Sequence, residues 1–132
     1  IGRGYDHDKL AEGRHPHKRE LDAAAPENPV YIVRACGHVG VASSKALQLA
    51  EIGHNTPDPF GGAIGRAEGE LTGWLAETAR EPVQKAIPSA TVDDIVEAIE
   101  YAGRDLLTYG ITSCMEAAIG IRDDIAELRA PR

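Results

Sequence analysis

One stretch constrains this chain more than any other. The apolar run Val30-Tyr-Ile-Val33 feeds Arg34-Ala-Cys-Gly-His38, and four residues later the pair Ser43-Ser44 opens a helix-like segment. The β-branched and aromatic content of residues 30–35 predicts a strand. A strand that delivers one histidine into a Gly-flanked turn presents a polar side chain to a pocket. Ser43 or Ser44 can cap the next helix, since a hydroxyl there accepts a free backbone N–H. That helix, including Lys45–Glu51, is expected to end at Gly53 as its C′ residue.

The rest of the chain reads as turns and short elements, then one long helix. Residues 18–25 predict a short helix closed by Pro26. Asn55 to Gly62 is a turn-rich break. Residues 63–66 and 71–75 flank Glu68-Gly69-Glu70 and predict a small hairpin whose glycine takes φ > 0. Thr91-Val-Asp-Asp94 has the spacing of a capping box, with Asp94 in place of the usual Glu or Gln. Ile95, Val96, Ile99, Ala102, Leu106 and Leu107 then recur at helical spacing, and Gly110 ends the stripe. Residues 111–115 predict a strand, and 122–129 a further helix. Helix, Gly turn, apolar strand, helix is the unit of an α/β barrel or a doubly wound sheet. A lone unit cannot close a barrel, and its strand would leave an unpaired edge that favours self-association.

At 132 residues the chain has room for one domain with a modest core. Its net charge of −7, with no basic cluster longer than His17-Lys18-Arg19, argues against nucleic acid and against an anionic membrane surface. No apolar run approaches the roughly 20 residues of a membrane-spanning helix. The start, Ile1-Gly-Arg-Gly, carries no methionine and no secretion-type apolar region, which suggests a piece of a longer chain or a trimmed tag. Cys36 and Cys114 lie in apolar strand-like runs and read as buried free thiols rather than a disulfide. A cytoplasmic setting follows as the default.

Five groups could carry chemistry. His38 is the sharpest: Gly37 and Gly40 let the backbone approach a ligand, and an imidazole can donate, accept or titrate near neutrality. The competing reading is a buried histidine bonded to backbone. Glu77, where the hairpin passes into a helix, can bind metal, act as a base, or simply favour a helix N-terminus. Asp6 and His7 would stand at a strand exit; adjacent residues cannot easily bond side by side, so they are not by themselves a triad pair. Glu116 would end the strand at 111–115, where barrel enzymes place polar groups. His15-Pro-His17 has a zinc-ligand spacing, but Arg14, Lys18 and Arg19 surround it and disfavour a cation, so a solvated loop is expected. Trp74, the single tryptophan, reads as core.

Five segments together resemble the amidohydrolase family 3 group, the YtcJ-like metal-dependent hydrolases. They are Gly2-Arg-Gly-Tyr-Asp-His7; residues 29–47; Thr56-Pro-Asp-Pro59 with Gly61-Gly62; Thr72-Gly73 with Leu75 and Glu77; and residues 102–113. The family usually has Asn-Ser where this chain has Ser43-Ser44, a departure that removes an amide and leaves a capping hydroxyl. The resemblance implies an α+β fold: a small mixed insert domain over 1–85 that lines the pocket, followed over 86–132 by a partial α/β (TIM-type) barrel unit of helix, strand and helix. It implies hydrolysis of amide-type C–N bonds in small molecules by a metal-activated water, with zinc the expected metal of the parent enzyme. The family's metal ligands would flank this region, so no metal is expected for this chain alone, and no residue here is assigned as a ligand. On that reading His38 and Glu77 are the catalytic candidates, and Asp6, His7 and Glu116 contact substrate. The isolated chain would be inactive. The alternative is a non-catalytic binding or oligomerisation module.

Overall fold

A computed structural model describes residues 1–115. The chain divides into two compact units, Ile1–Ile87 and Pro88–Arg132.

The first unit is built on a five-stranded mixed sheet, in the order β1-β2-β3-β5-β4. The strands are β1 (Gly2–Tyr5), β2 (Tyr31–Arg34), β3 (Val39–Ala42), β4 (Gly62–Ala67) and β5 (Glu70–Glu77). β1 runs parallel to β2, and the other pairs are antiparallel. Helices α1 (Lys18–Ala24), α2 (Ser44–Leu49) and α3 (Glu81–Ala86) complete the unit. β5 alternates strictly, with Leu71, Gly73 and Leu75 buried and Thr72, Trp74 and Ala76 half-buried. Period-two alternation of this kind gives each face of the strand its own environment. Leu71 and Leu75 join Tyr31, Val33, Ile64, Leu47, Ile52 and Val83 in one apolar core. Leu75 and Val83 are essentially inaccessible, and truncating such a leucine to alanine costs about 2–5 kcal/mol.

Local rules explain the element ends. The β4–β5 turn places both Glu68 and Gly69 at positive φ, 52° and 82°. That pair of angles is the two-residue turn whose twist matches the strands it joins. The first helix spans Lys18–Ala24, one residue short of the expected end. It is capped by His17, whose ring accepts from the Arg19 N–H while the Glu20 carboxylate accepts from the His17 N–H. Ser43 caps α2. Its buried hydroxyl oxygen also accepts from the Val30 N–H at 2.9 Å, tying the helix start to the entry of β2.

Gly53 does not end α2. The left-handed C′ position falls on Glu51, at φ 57°, two residues earlier. There the Ile52 N–H bonds the Leu47 carbonyl and the Glu51 N–H bonds that of Gln48. This is the Schellman arrangement, and burial of Ile52 against the core sets the stop where a glycine alone would not.

In the second unit, α4 (Val92–Thr108) begins with the expected capping box between Thr91 and Asp94. It ends at Gly110, φ 74°, with the same paired bonds to Leu106 and Leu107. None of its residues is buried: of its apolar stripe Ile99, Ala102 and Leu107 are exposed, and Ile95, Val96 and Leu106 are half-buried. Residues 111–115 do not form the expected strand. A strand needs a hydrogen-bonding neighbour, and no described residue pairs with them. Glu116 and the helix expected at 122–129 lie outside the described residues.

Candidate functional site

The turn between β2 and β3 carries His38, and the end of β5 carries Glu77. The sheet brings them together. β3 pairs β5 through Val39 and Ala76, so the residue before one strand faces the last residue of the other. The Glu77 N–H donates to the His38 carbonyl at 2.9 Å. The His38 Nδ1 and Glu77 Oε2 atoms are 3.1 Å apart. A carboxylate can only accept, so we infer that Nδ1 carries a proton, and in the neutral ring Nε2 is then a free acceptor. Both side chains are exposed, 68% and 54%. Exposure rules out the buried-histidine alternative. It also means that the pair contributes little to stability, roughly 0–1 kcal/mol.

Glu77 occupies a strained backbone conformation, φ 50° and ψ −124°. Such angles suit glycine, and a side chain held there costs on the order of 1–3 kcal/mol.

The same turn holds Cys36, which is free and exposed, not buried as its sequence context suggests. Its neighbours are apolar in sequence, but the turn leaves the sheet before the side chain can reach the core. The thiol pKa is lowered, first by the backbone N–H of His38 and then by Arg34 and the Val39 N–H. Arg34 also reaches Asp6 and Asp8, at 3.4 Å each. A continuous polar run therefore links Asp6, Arg34, Cys36, His38 and Glu77.

Gly40 has a different role from the one expected. A Cβ there would meet the Tyr31 ring and hydroxyl at 2.4–2.6 Å, so this glycine admits a neighbouring tyrosine rather than a ligand. Tyr31 in turn accepts from Arg80 Nε at 3.0 Å.

Asp6 and His7 follow β1, as expected, in a tight 3₁₀ turn. The His7 ring stacks on that of His15, with centroids 4.0 Å apart and planes 20° from parallel. His15 Nδ1 is hydrogen-bonded to the Tyr5 hydroxyl at 2.9 Å, and its ring lies 6.1 Å from that of Trp74. The expectation of a solvated His15-Pro-His17 loop is thus corrected. His15 packs against the sheet residues Tyr5 and Trp74, and His17 caps α1. Burial, then His7 and Arg34, lower the His15 pKa, while burial raises that of Tyr5 to about 12. Trp74 is only half-buried, on the opposite side of β5 from Leu71 and Leu75.

The sequence profile of the amidohydrolase family matches residues 1–130. The chain belongs to the amidohydrolase family. It is 38% identical over 113 residues to a putative amidohydrolase, YtcJ, of Bacillus subtilis, covering 85% of this chain and 21% of that one. It is 36% identical over 115 residues to an N-substituted formamide deformylase of Arthrobacter pascens, covering 83% of this chain and 21% of the relative. An uncharacterised metal-dependent hydrolase from Pyrococcus horikoshii OT3 superposes with a TM-score of 0.60 at 31% identity, over 98% of this chain and 23% of its own. The chain therefore spans about a fifth of the length of the curated relatives it matches.

Among the described residues one cluster has three potential ligands within 4.8 Å, namely Asp6, His7 and Asp8. It does not suit a resident cation. The Arg34 guanidinium lies 3.4 Å from both carboxylates, where a metal ion would have to compete with a fixed positive charge.

Arg34 and Arg80 were not among the site residues expected from sequence. A charged residue closing an apolar run, as Arg34 closes Val30–Val33, is the one signal that marked the first. Nothing local marks Arg80.

Proposed function

We propose that this chain is the pocket-lining portion of a metal-dependent amidohydrolase that cleaves amide-type C–N bonds of small molecules. The observation that carries the proposal is the hydrogen-bonded His38–Glu77 pair within a chain matched to the amidohydrolase family almost end to end. In this reading residues 1–85 are an insert that lines the pocket, and 86–132 belong to a partial TIM-type barrel unit, in which 111–115 would become a strand only beside hydrogen-bonding neighbours from the rest of the parent. The largely exposed apolar stripe of α4 supports that assignment, because such a helix needs a sheet to cover.

Glu77 fixes the His38 tautomer and ring orientation. Nε2 then accepts a proton or a substrate N–H, as a base oriented by a carboxylate does. Asp6 and His7 contact substrate. The metal of the parent, zinc in this proposal, is held by residues other than the 132 here, and hydrolysis depends on them. A relative named as an N-substituted formamide deformylase supports an amide-type substrate for the parent. Among the described residues no helix is long and apolar enough to cross a membrane. Two free thiols support a reducing, cytoplasmic setting.

The test uses the full-length parent protein. Zinc should be present stoichiometrically by elemental analysis, and His38→Ala should lower kcat/KM for an amide substrate by about 10²–10⁴. Unchanged kinetics would remove His38 from the site. The isolated chain should show neither tight zinc nor turnover. A second reading, a non-catalytic binding or self-associating module, is favoured by the closed core of the first unit. Stoichiometric dimers without zinc or activity in the parent would favour it.

A further inference from the structure

His38 and Glu77 meet because two distant segments are held in register, and the strand ladder supplies only part of that hold. On the β5 side, the Glu77 N–H bonds the His38 carbonyl. On the other side His38 is preceded by the irregular turn 35–37, in which Gly37 stands at φ 78°; the Gly37 N–H bonds the Arg34 carbonyl at 2.9 Å, and the Cys36 thiol takes the His38 and Val39 N–H groups.

Arg80 completes the frame. It stands three residues beyond Glu77, in the 3₁₀ turn Thr78–Arg80. Its Nη1 donates to the Gly37 carbonyl, the peptide group that leads into His38. Its Nε donates to the Tyr31 hydroxyl at 3.0 Å. Tyr31 is 4% exposed and its ring lies against Gly40, so this second anchor is fixed by the core. A guanidinium holds its donors in a rigid planar fork, so one side chain can fix two acceptors relative to each other.

We propose that Arg80 is a positioning residue for the His38–Glu77 pair. It clamps the Gly37 carbonyl to the Tyr31 hydroxyl and to the segment that carries Glu77, and so sets where the imidazole stands. The inference rests on the reading of His38 and Glu77 as the working pair of the hydrolase site. No hydrogen bond joins Arg80 to either of their side chains, so its influence passes through backbone.

The test is NMR of the 132-residue chain. Arg80→Met keeps the aliphatic stem and removes the donors; Arg80→Lys restores one. The readout is the nuclear Overhauser contact between the His38 ring and the Glu77 side chain, with amide protection of Val41 and Leu75 as the control for an intact core. The expected result is loss of the contact in Arg80→Met with protected core amides, and its recovery in Arg80→Lys. A contact that persists in Arg80→Met, or is lost equally in Arg80→Lys, overturns the proposal. If Arg80→Met unfolds, Tyr31→Phe removes one anchor and is read the same way: a weakened contact supports the clamp and an unchanged one overturns it. No turnover is measured. A parent without amidase activity would leave this result standing, and failure here would leave the hydrolase proposal standing.

Discussion

His38 and Glu77, 39 residues apart in sequence, are joined twice: by a backbone bond of 2.9 Å and by a side-chain contact of 3.1 Å. The double link costs strain at Glu77, whose φ of 50° is one that glycine would adopt freely. Glu77→Gly should therefore leave the fold intact, with stability unchanged or raised by up to about 1 kcal/mol, while abolishing the side-chain pair. Urea denaturation checks this. A loss of more than that amount would mean the carboxylate contributes more than its backbone costs.

Gly40 makes room for a ring. Because a Cβ would lie 2.4 Å from the Tyr31 hydroxyl and 2.6 Å from two ring carbons, Gly40→Ala should destabilise the first unit by about 1–3 kcal/mol. In the Tyr31→Ala background the same change should cost much less. Equal costs in both backgrounds, measured as a double-mutant cycle, would show that the ring is not the obstacle.

Cys36 should react with alkylating agents more readily than an ordinary thiol at neutral pH. The His38 N–H and the Arg34 guanidinium stabilise its thiolate, so its alkylation rate should rise with a midpoint below the 9.0 of an ordinary thiol. Arg34→Gln should move the midpoint up, but only partly, since the backbone donors remain. Iodoacetamide labelling followed by mass spectrometry, across a pH series, measures it. A midpoint at or above 9.0 in the parent sequence would refute the assignment.

Acid should destabilise the first unit in two windows. The folded pKa of His15 lies below its usual 6.5, through burial and its neighbours His7 and Arg34, with Asp8 opposing. The unfolded chain then binds the proton more readily, so stability is full above 6.5 and falls as the pH drops below it. Glu20, held at about 2 by the Arg14 hydrogen bond and the His17 N–H, adds a second loss as the pH falls from about 4.5 toward 2. Thermal denaturation between pH 7.5 and 2 should show both slopes. His15→Asn should reduce the first slope, to which His17, lowered by burial and by Arg19 and Lys18, also contributes, and should spare the second; a first slope that persists unchanged would show that His15 is not a source of it.

Much of the framework could be read locally. The capping box at Thr91–Asp94, the Ser43 cap and the Glu68-Gly69 turn each depend on residues within a few positions of one another, and each formed as the sequence implied. Gly53 failed as a helix stop because burial of Ile52, a tertiary contact, chose Glu51 as the left-handed residue instead. Cys36 failed as a buried thiol for a similar reason. Apolar neighbours do not bury a side chain whose turn swings away from the sheet.

By itself the sequence determined β2, the β4–β5 hairpin, the helices α1, α2 and α4 with their caps, and the membership of the amidohydrolase family, because propensity, periodicity and motif order are written in short windows; β3 and α3 carried no such mark, and the strand expected at 111–115 did not form. It also named His38 and Glu77 separately. That they touch was decided by the pairing of β3 with β5, a contact across 39 residues that no local pattern encodes. The same holds for Arg34, which reaches back to Asp6 across 28 residues, and for Arg80, which reaches Gly37 across 43. Hydrogen bonds between distant residues follow from strand order and register, and those are fixed only when the sheet closes over its shared core.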